Sequence, residues 1–113
     1  MSHQEIKLSK LDTDDVTTLI EAIKDYYNKQ LIDYTNNKLQ LSLLQTVYLK
    51  LQKLHFNFYK QQKFSLKLLY HYAVTTQQAL TVFNTQTKDQ FLKNRSLQLI
   101  TKLDQQIKNN GSL

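Results

Sequence analysis

Residues 38–55, KLQLSLLQTVYLKLQKLH, decide the fold class. Leu44, Val47, Tyr48, Leu51 and Leu54 recur at intervals of three and four, the spacing of one buried helical stripe. Gln45, Lys50, Gln52 and Lys53 face out, and Leu39, Leu41, Leu43 and Leu49 widen the apolar arc. A helix this apolar is expected to lie centrally, covered on more than one side.

Upstream, Asp12 is placed to cap a helix over about 12–32, its side chain accepting from the free amide of Asp15. Leu11 and Val16 flank the cap as a staple, and Asp14 and Asp15 favour the positive end of the helix dipole. Val16, Leu19, Ile20, Ile23 and Tyr27 form the stripe, and DYTNN (33–37) reads as a loop. Downstream, HFNFYKQQ (55–62) alternates briefly like a strand. One strand has nothing to pair with, so the stretch reads as a connection whose Phe56 and Phe58 cap the core. A third helix is expected over 63–79, with Leu66, Leu69, Tyr70, Ala73 and Val74 inward. A fourth is expected over 85–108, with Phe91, Leu92, Leu99, Leu103 and Ile107 inward and Thr87 and Gln90 at its start. Four amphipathic helices with short connections bury their stripes most simply as an antiparallel four-helix bundle. The expectation is an all-α protein, one domain over residues 1–113.

Composition agrees and narrows the chemistry. The 113 residues include no Cys, no Pro and one Gly. Disulfide frameworks, Cys-ligated zinc and thiol nucleophiles are excluded, and so are glycine-rich phosphate loops. Tight hairpins are disfavoured for the same reason. No stretch reaches the roughly 18 apolar residues of a membrane-crossing helix, and MSHQEIKLSKLDTDD offers no apolar signal-peptide segment, so a cytoplasmic location is expected.

The net charge of +6 is unevenly spread. Residues 1–33 carry −3, residues 34–88 carry +7 with no Asp or Glu at all, and residues 89–113 carry +2. The middle and C-terminal parts therefore suit an anionic partner: nucleic acid, lipid headgroups or an acidic protein face. No catalytic set is visible. His55 and His71 lack both a helical metal-ligand spacing and a local carboxylate to orient them. No catalytic residue, metal ligand or cofactor is expected.

The segment LLQTVYLKLQK (43–53) resembles the most characteristic stretch of the enterocin A-type immunity proteins of the pediocin-like (class IIa) bacteriocin immunity family. The likeness continues through LKLLYHYAVTTQQAL (66–80) to Phe83 and Asn84. The connection 56–64 lacks that family's proline and glycine and is slightly longer, and the tail after Ile107 is shorter than in several members. The resemblance implies a cytoplasmic antiparallel four-helix bundle, a monomer that protects a bacteriocin producer. Its implied partner is the toxin-bound mannose phosphotransferase permease, met from the cytoplasmic side, with peripheral membrane contact and no nucleic acid. Discrimination between toxins is implied for the C-terminal half. There Lys93, Arg95, Lys102 and Lys108 are expected to project from the last helix, and Asn109, Asn110 and Leu113 to form an adaptable tail. The alternative is a small basic nucleic-acid-binding regulator, which the +7 segment also suits.

Overall fold

The structure, a computed structural model, describes residues 5–111, with side chains through Asn109. Six elements follow in order: β1 (Glu5–Leu11), α1 (Thr13–Leu31), α2 (Lys38–His55), β2 (Phe64–Leu69), α3 (Tyr70–Gln86) and α4 (Gln90–Gly111). The two central expectations hold: α1 starts behind Asp12, and α2 spans Lys38–His55 with Leu41, Leu44, Val47 and Leu51 buried. The Asp15 N–H donates to Asp12 Oδ1 at 2.8 Å, and the Asp12 N–H donates back to Asp15 Oδ2 at 3.0 Å. This reciprocal capping box satisfies two amides that a helix start otherwise leaves open.

The all-α bundle is not the fold. β1 and β2 pair antiparallel in a two-stranded sheet, so the architecture is α+β. Residues 64–69, expected in a third helix over 63–79, form β2 instead, and α3 begins only at Tyr70 and runs on to Gln86. The physical reason lies in a period of two at both sites. Ile6 and Leu8 are buried while Glu5 and Lys7 are exposed; Phe64, Leu66 and Leu68 are buried while Ser65, Lys67 and Leu69 are exposed. Either stretch alone is too short to show its partner. The alternation at 55–62 belongs instead to turns closed by the Asn57, Phe58 and Lys60 amides. Two hairpins of helices, α1–α2 and α3–α4, pack with the inner face of the sheet into one core.

The sheet is irregular at one place. Leu8 faces Leu66 and Leu11 faces Phe64, so β1 carries one extra residue there. Lys10 takes a φ of 57°, in the left-handed region. Strict alternation would send Lys10 inward with Ile6 and Leu8. The bulge turns Lys10 out and returns Leu11 to the core, fully buried, beside Val16 and Leu19. Left-handed backbone costs a non-glycine residue roughly 1–2 kcal/mol, less than the transfer of an unpaired Lys into the core.

α4 is capped by Asp89, whose Oδ1 accepts from the Leu92 N–H at 3.2 Å, and it continues through Gly111. The helix expected from 85 begins only at Gln90, and the expected C-terminal tail is helical up to Gly111. Arg95 of α4 reaches across to the start of α1. Its Nη1 lies 3.1 Å from Asp12 Oδ2 and 3.1 Å from Asp15 Oδ1, and its Nη2 lies 3.8 Å from Asp14. Its guanidinium also stacks on Phe91 at 5.2 Å. Burial alone would raise the Asp12 pKa, but the Asp15 amide and the Arg95 charge hold it below the ordinary carboxylate value. Burial likewise opposes the Arg95 charge, and hydrogen bonding to Asp15 with the charge of Asp12 more than offsets it, raising its pKa.

Two outcomes test this account. Lys10→Gly relieves the left-handed strain and should raise the melting temperature slightly, by up to about 1 kcal/mol in stability. Lys10→Val, branched at that φ, should lower it; the opposite order in thermal melts would refute the bulge. Because the folded Asp12 pKa is depressed, its stabilisation is present above the unfolded value and is lost as pH falls through the folded one. Arg95→Gln should therefore melt lower than the parent at neutral pH, with the gap narrowing below about pH 4. A constant gap across a pH series of melts would assign the effect to packing on Phe91.

Candidate cationic interface

The sequence-predicted contact residues are dispersed. Arg95 is committed to Asp12 and Asp15, and Lys108 Nζ pairs with Asp104 Oδ2 at 3.0 Å. That bond draws the Asp104 carboxyl below its usual range. Lys93, Lys102 and Asn109 are exposed along α4. Asn110 lies within α4 with its side chain outside the described residues, and Leu113 lies outside them altogether. Nine residues of helix, about 13 Å of rise, separate Lys93 from Lys102. His55 and His71 are both exposed. Among the described residues no three His, Asp or Glu side chains gather as a metal set.

A denser cationic feature lies on the outer face of the sheet. Lys7 of β1 stands directly opposite Lys67 of β2. The Lys67 carbonyl accepts from Lys50 Nζ at 3.1 Å, so it points off the free edge of β2 toward α2 and not into the ladder. Lys7 and Lys67 are therefore a non-hydrogen-bonded pair, the kind whose side chains approach most closely. Like charges placed so oppose folding by roughly 0.2–1 kcal/mol. On the other flank, Lys102 of α4 lines a shallow cavity of about 200 Å³ together with Lys7, Leu8 and Ser9. Four elements thus contribute one cation each, in the order Lys102, Lys7, Lys67, Lys50. Lys53, one turn beyond Lys50 on the same flank of α2, extends the row toward the turn 56–63.

The acids do not follow. Glu21, Asp25 and Asp104 pair with Lys24, Lys29 and Lys108, and Asp12, Asp14 and Asp15 surround Arg95. Asp89 caps α4, and Asp33 accepts from Asn36. Glu5, two residues from Lys7, is the acid that shares the outer sheet face. Of the row, sequence reasoning singled out Lys102 alone. Lys7 sat in a stretch given no element and Lys67 in an expected helix; their alternation with Ile6, Leu8, Leu66 and Leu68 was the available signal.

A second concavity, half-open and about 250 Å³, separates α1 from α2. Ile23, Tyr27, Leu44 and Tyr48 give it an apolar floor, and Lys24, Asn28 and Gln45 line the remainder. No cluster of titratable groups accompanies it. No helix among the described residues is long and apolar enough to cross a membrane. Searches against protein-family models, curated proteins and solved structures each find no match to the chain.

Proposed function

We propose that this protein acts by binding, and that its lysine row docks on the phosphate backbone of a nucleic acid. The supporting observation is the Lys7–Lys67 pair. Two lysines stand at directly opposed positions of the sheet with Lys50 and Lys102 on its flanks, while most acids are engaged elsewhere. Phosphates seated among these lysines turn a repulsion into attraction and release the counterions condensed on the nucleic acid. Sequence-independent affinity is what such a surface supplies, since lysine is a point charge without the planar fork that reads a base edge. This reading reverses the expectation of no nucleic acid that the resemblance carried.

The test is a titration of labelled DNA and RNA at several salt concentrations. Four phosphate contacts predict a log–log slope near −3. Lys7→Gln with Lys67→Gln should flatten that slope by about 1.5. The same pair of substitutions should leave the melting temperature unchanged or raised, because the repulsion is gone. Absence of salt-dependent binding, or a lysine variant that binds like the parent, would refute the proposal.

Bacteriocin immunity is the second reading. It is supported by the segment 43–53, which lies within α2 as the resemblance requires. The other matching segment is split, with 66–69 in a strand and the remainder in α3, and the bundle that the family implies is not this architecture. On this reading the cationic face meets the toxin-bound mannose phosphotransferase permease at the cytoplasmic side. Expression in a sensitive strain should then raise survival under a class IIa bacteriocin; unchanged killing across a panel of such toxins would remove this reading.

A further inference from the structure

Two aromatic rings stand in solvent at the end of the lysine row. The chain turns over 56–63 between α2 and β2, and its three rings behave differently. Phe58 turns inward, 5.3 Å from Phe64, and packs against the core. Phe56 is 71% exposed and Tyr59 82% exposed. The turn thus uses one ring for its own packing and leaves two without cover. Lys60 Nζ lies 5.6 Å from the Tyr59 ring, and the His55 ring meets Phe56 edge-on at 6.5 Å. Lys53 precedes Phe56 by three residues, about 4.5 Å of helical rise. No acid occurs in the sequence between Tyr34 and Lys88.

We infer that the turn 56–63 is a stacking platform and that the partner is single-stranded nucleic acid, its backbone on the lysine row and its bases on Phe56 and Tyr59. This inference rests on the nucleic-acid reading above and narrows it. A duplex shows this surface phosphates and groove edges, and its base faces are already stacked on one another. An unpaired strand offers flat faces to exposed rings, and each stacked base strengthens binding roughly fivefold to a hundredfold. Lysines beside the rings hold the backbone while the rings take the bases, without demanding a particular sequence. A membrane interface uses similar residue types, but it also needs continuous apolar area. The outer sheet face, which carries Glu5, Lys7, Ser9, Ser65 and Lys67 with Leu69 as its apolar residue, does not provide it.

The experiment compares a labelled oligothymidylate of about twenty nucleotides with a duplex of equal length, by fluorescence anisotropy at two salt concentrations. The variants are Phe56→Ala with Tyr59→Ala, and Phe56→Leu with Tyr59→Leu, which keeps apolar bulk without a flat ring. Circular dichroism melts establish that each variant is folded. The single strand should bind at least about tenfold more tightly than the duplex. Both ring variants should lose about tenfold or more on the single strand, with the salt slope and duplex affinity unchanged. Equal affinity for the two probes, or ring variants indistinguishable from the parent, would overturn this inference and leave the lysine reading standing. Binding to phosphatidylserine vesicles with no binding to either oligonucleotide would overturn both.

Discussion

The pairing of β1 with β2 is the constraint on which the other contacts rest. It joins a strand near the N-terminus to one beyond two complete helices, closing a long loop whose entropic cost rises only slowly with length. Two strands alone are marginal in water. The sheet persists because Ile6, Leu8, Leu11, Phe64, Leu66 and Leu68 form an almost wholly buried face against the helices. Each such side chain contributes roughly 1.5–3 kcal/mol when fully buried. The bulge at Lys10 is part of the same solution, since without it Leu11 and Lys10 would exchange faces.

Once the strands are paired, the helices have little freedom. β2 runs straight into α3 at Tyr70, and α1 follows β1 after a single residue, Asp12. That residue serves two neighbours together: it caps α1 through the bonds it exchanges with Asp15, and it receives Arg95 from α4. The last helix is thereby tied to the first at the end where β1 hands over to α1. Buried polar groups elsewhere are satisfied locally: Thr18 and Thr76 donate to carbonyls one turn back, and Ser96 bonds Asn84 and Lys93. No buried side-chain polar atom among the described residues lacks a partner.

The same pairing converts a charge asymmetry along the chain into one across the surface. The N-terminal acids are largely absorbed by helix caps, by lysines one turn away and by Arg95. The acid-free segment 34–88 then meets β1 edge to edge, which sets Lys67 against Lys7 and brings Lys50 and Lys102 to the two flanks. A bound polyanion would stabilise the folded protein by mass action, because the row does not exist in the unfolded chain.

The sequence by itself determined α1 with its Asp12 cap, α2, and the main buried stripe of each, because those signals are local. A helix needs only its own periodicity and a capping residue, and Asp12 with the stripe from Val16 to Ile23 supplies both. It also determined the excess of positive charge. What it did not determine was the sheet. Period-two alternation over four to six residues is ambiguous until a partner is known, and that partner is more distant than any local window. Misplacing 64–69 in a helix hid Lys67, and leaving 5–11 without an element hid Lys7, so the candidate interface was invisible with them. Arg95, expected to be free on the last helix, was claimed by the start of the first. Which lysines stand together and which are neutralised is a property of contacts between distant elements, and only the tertiary structure decides it.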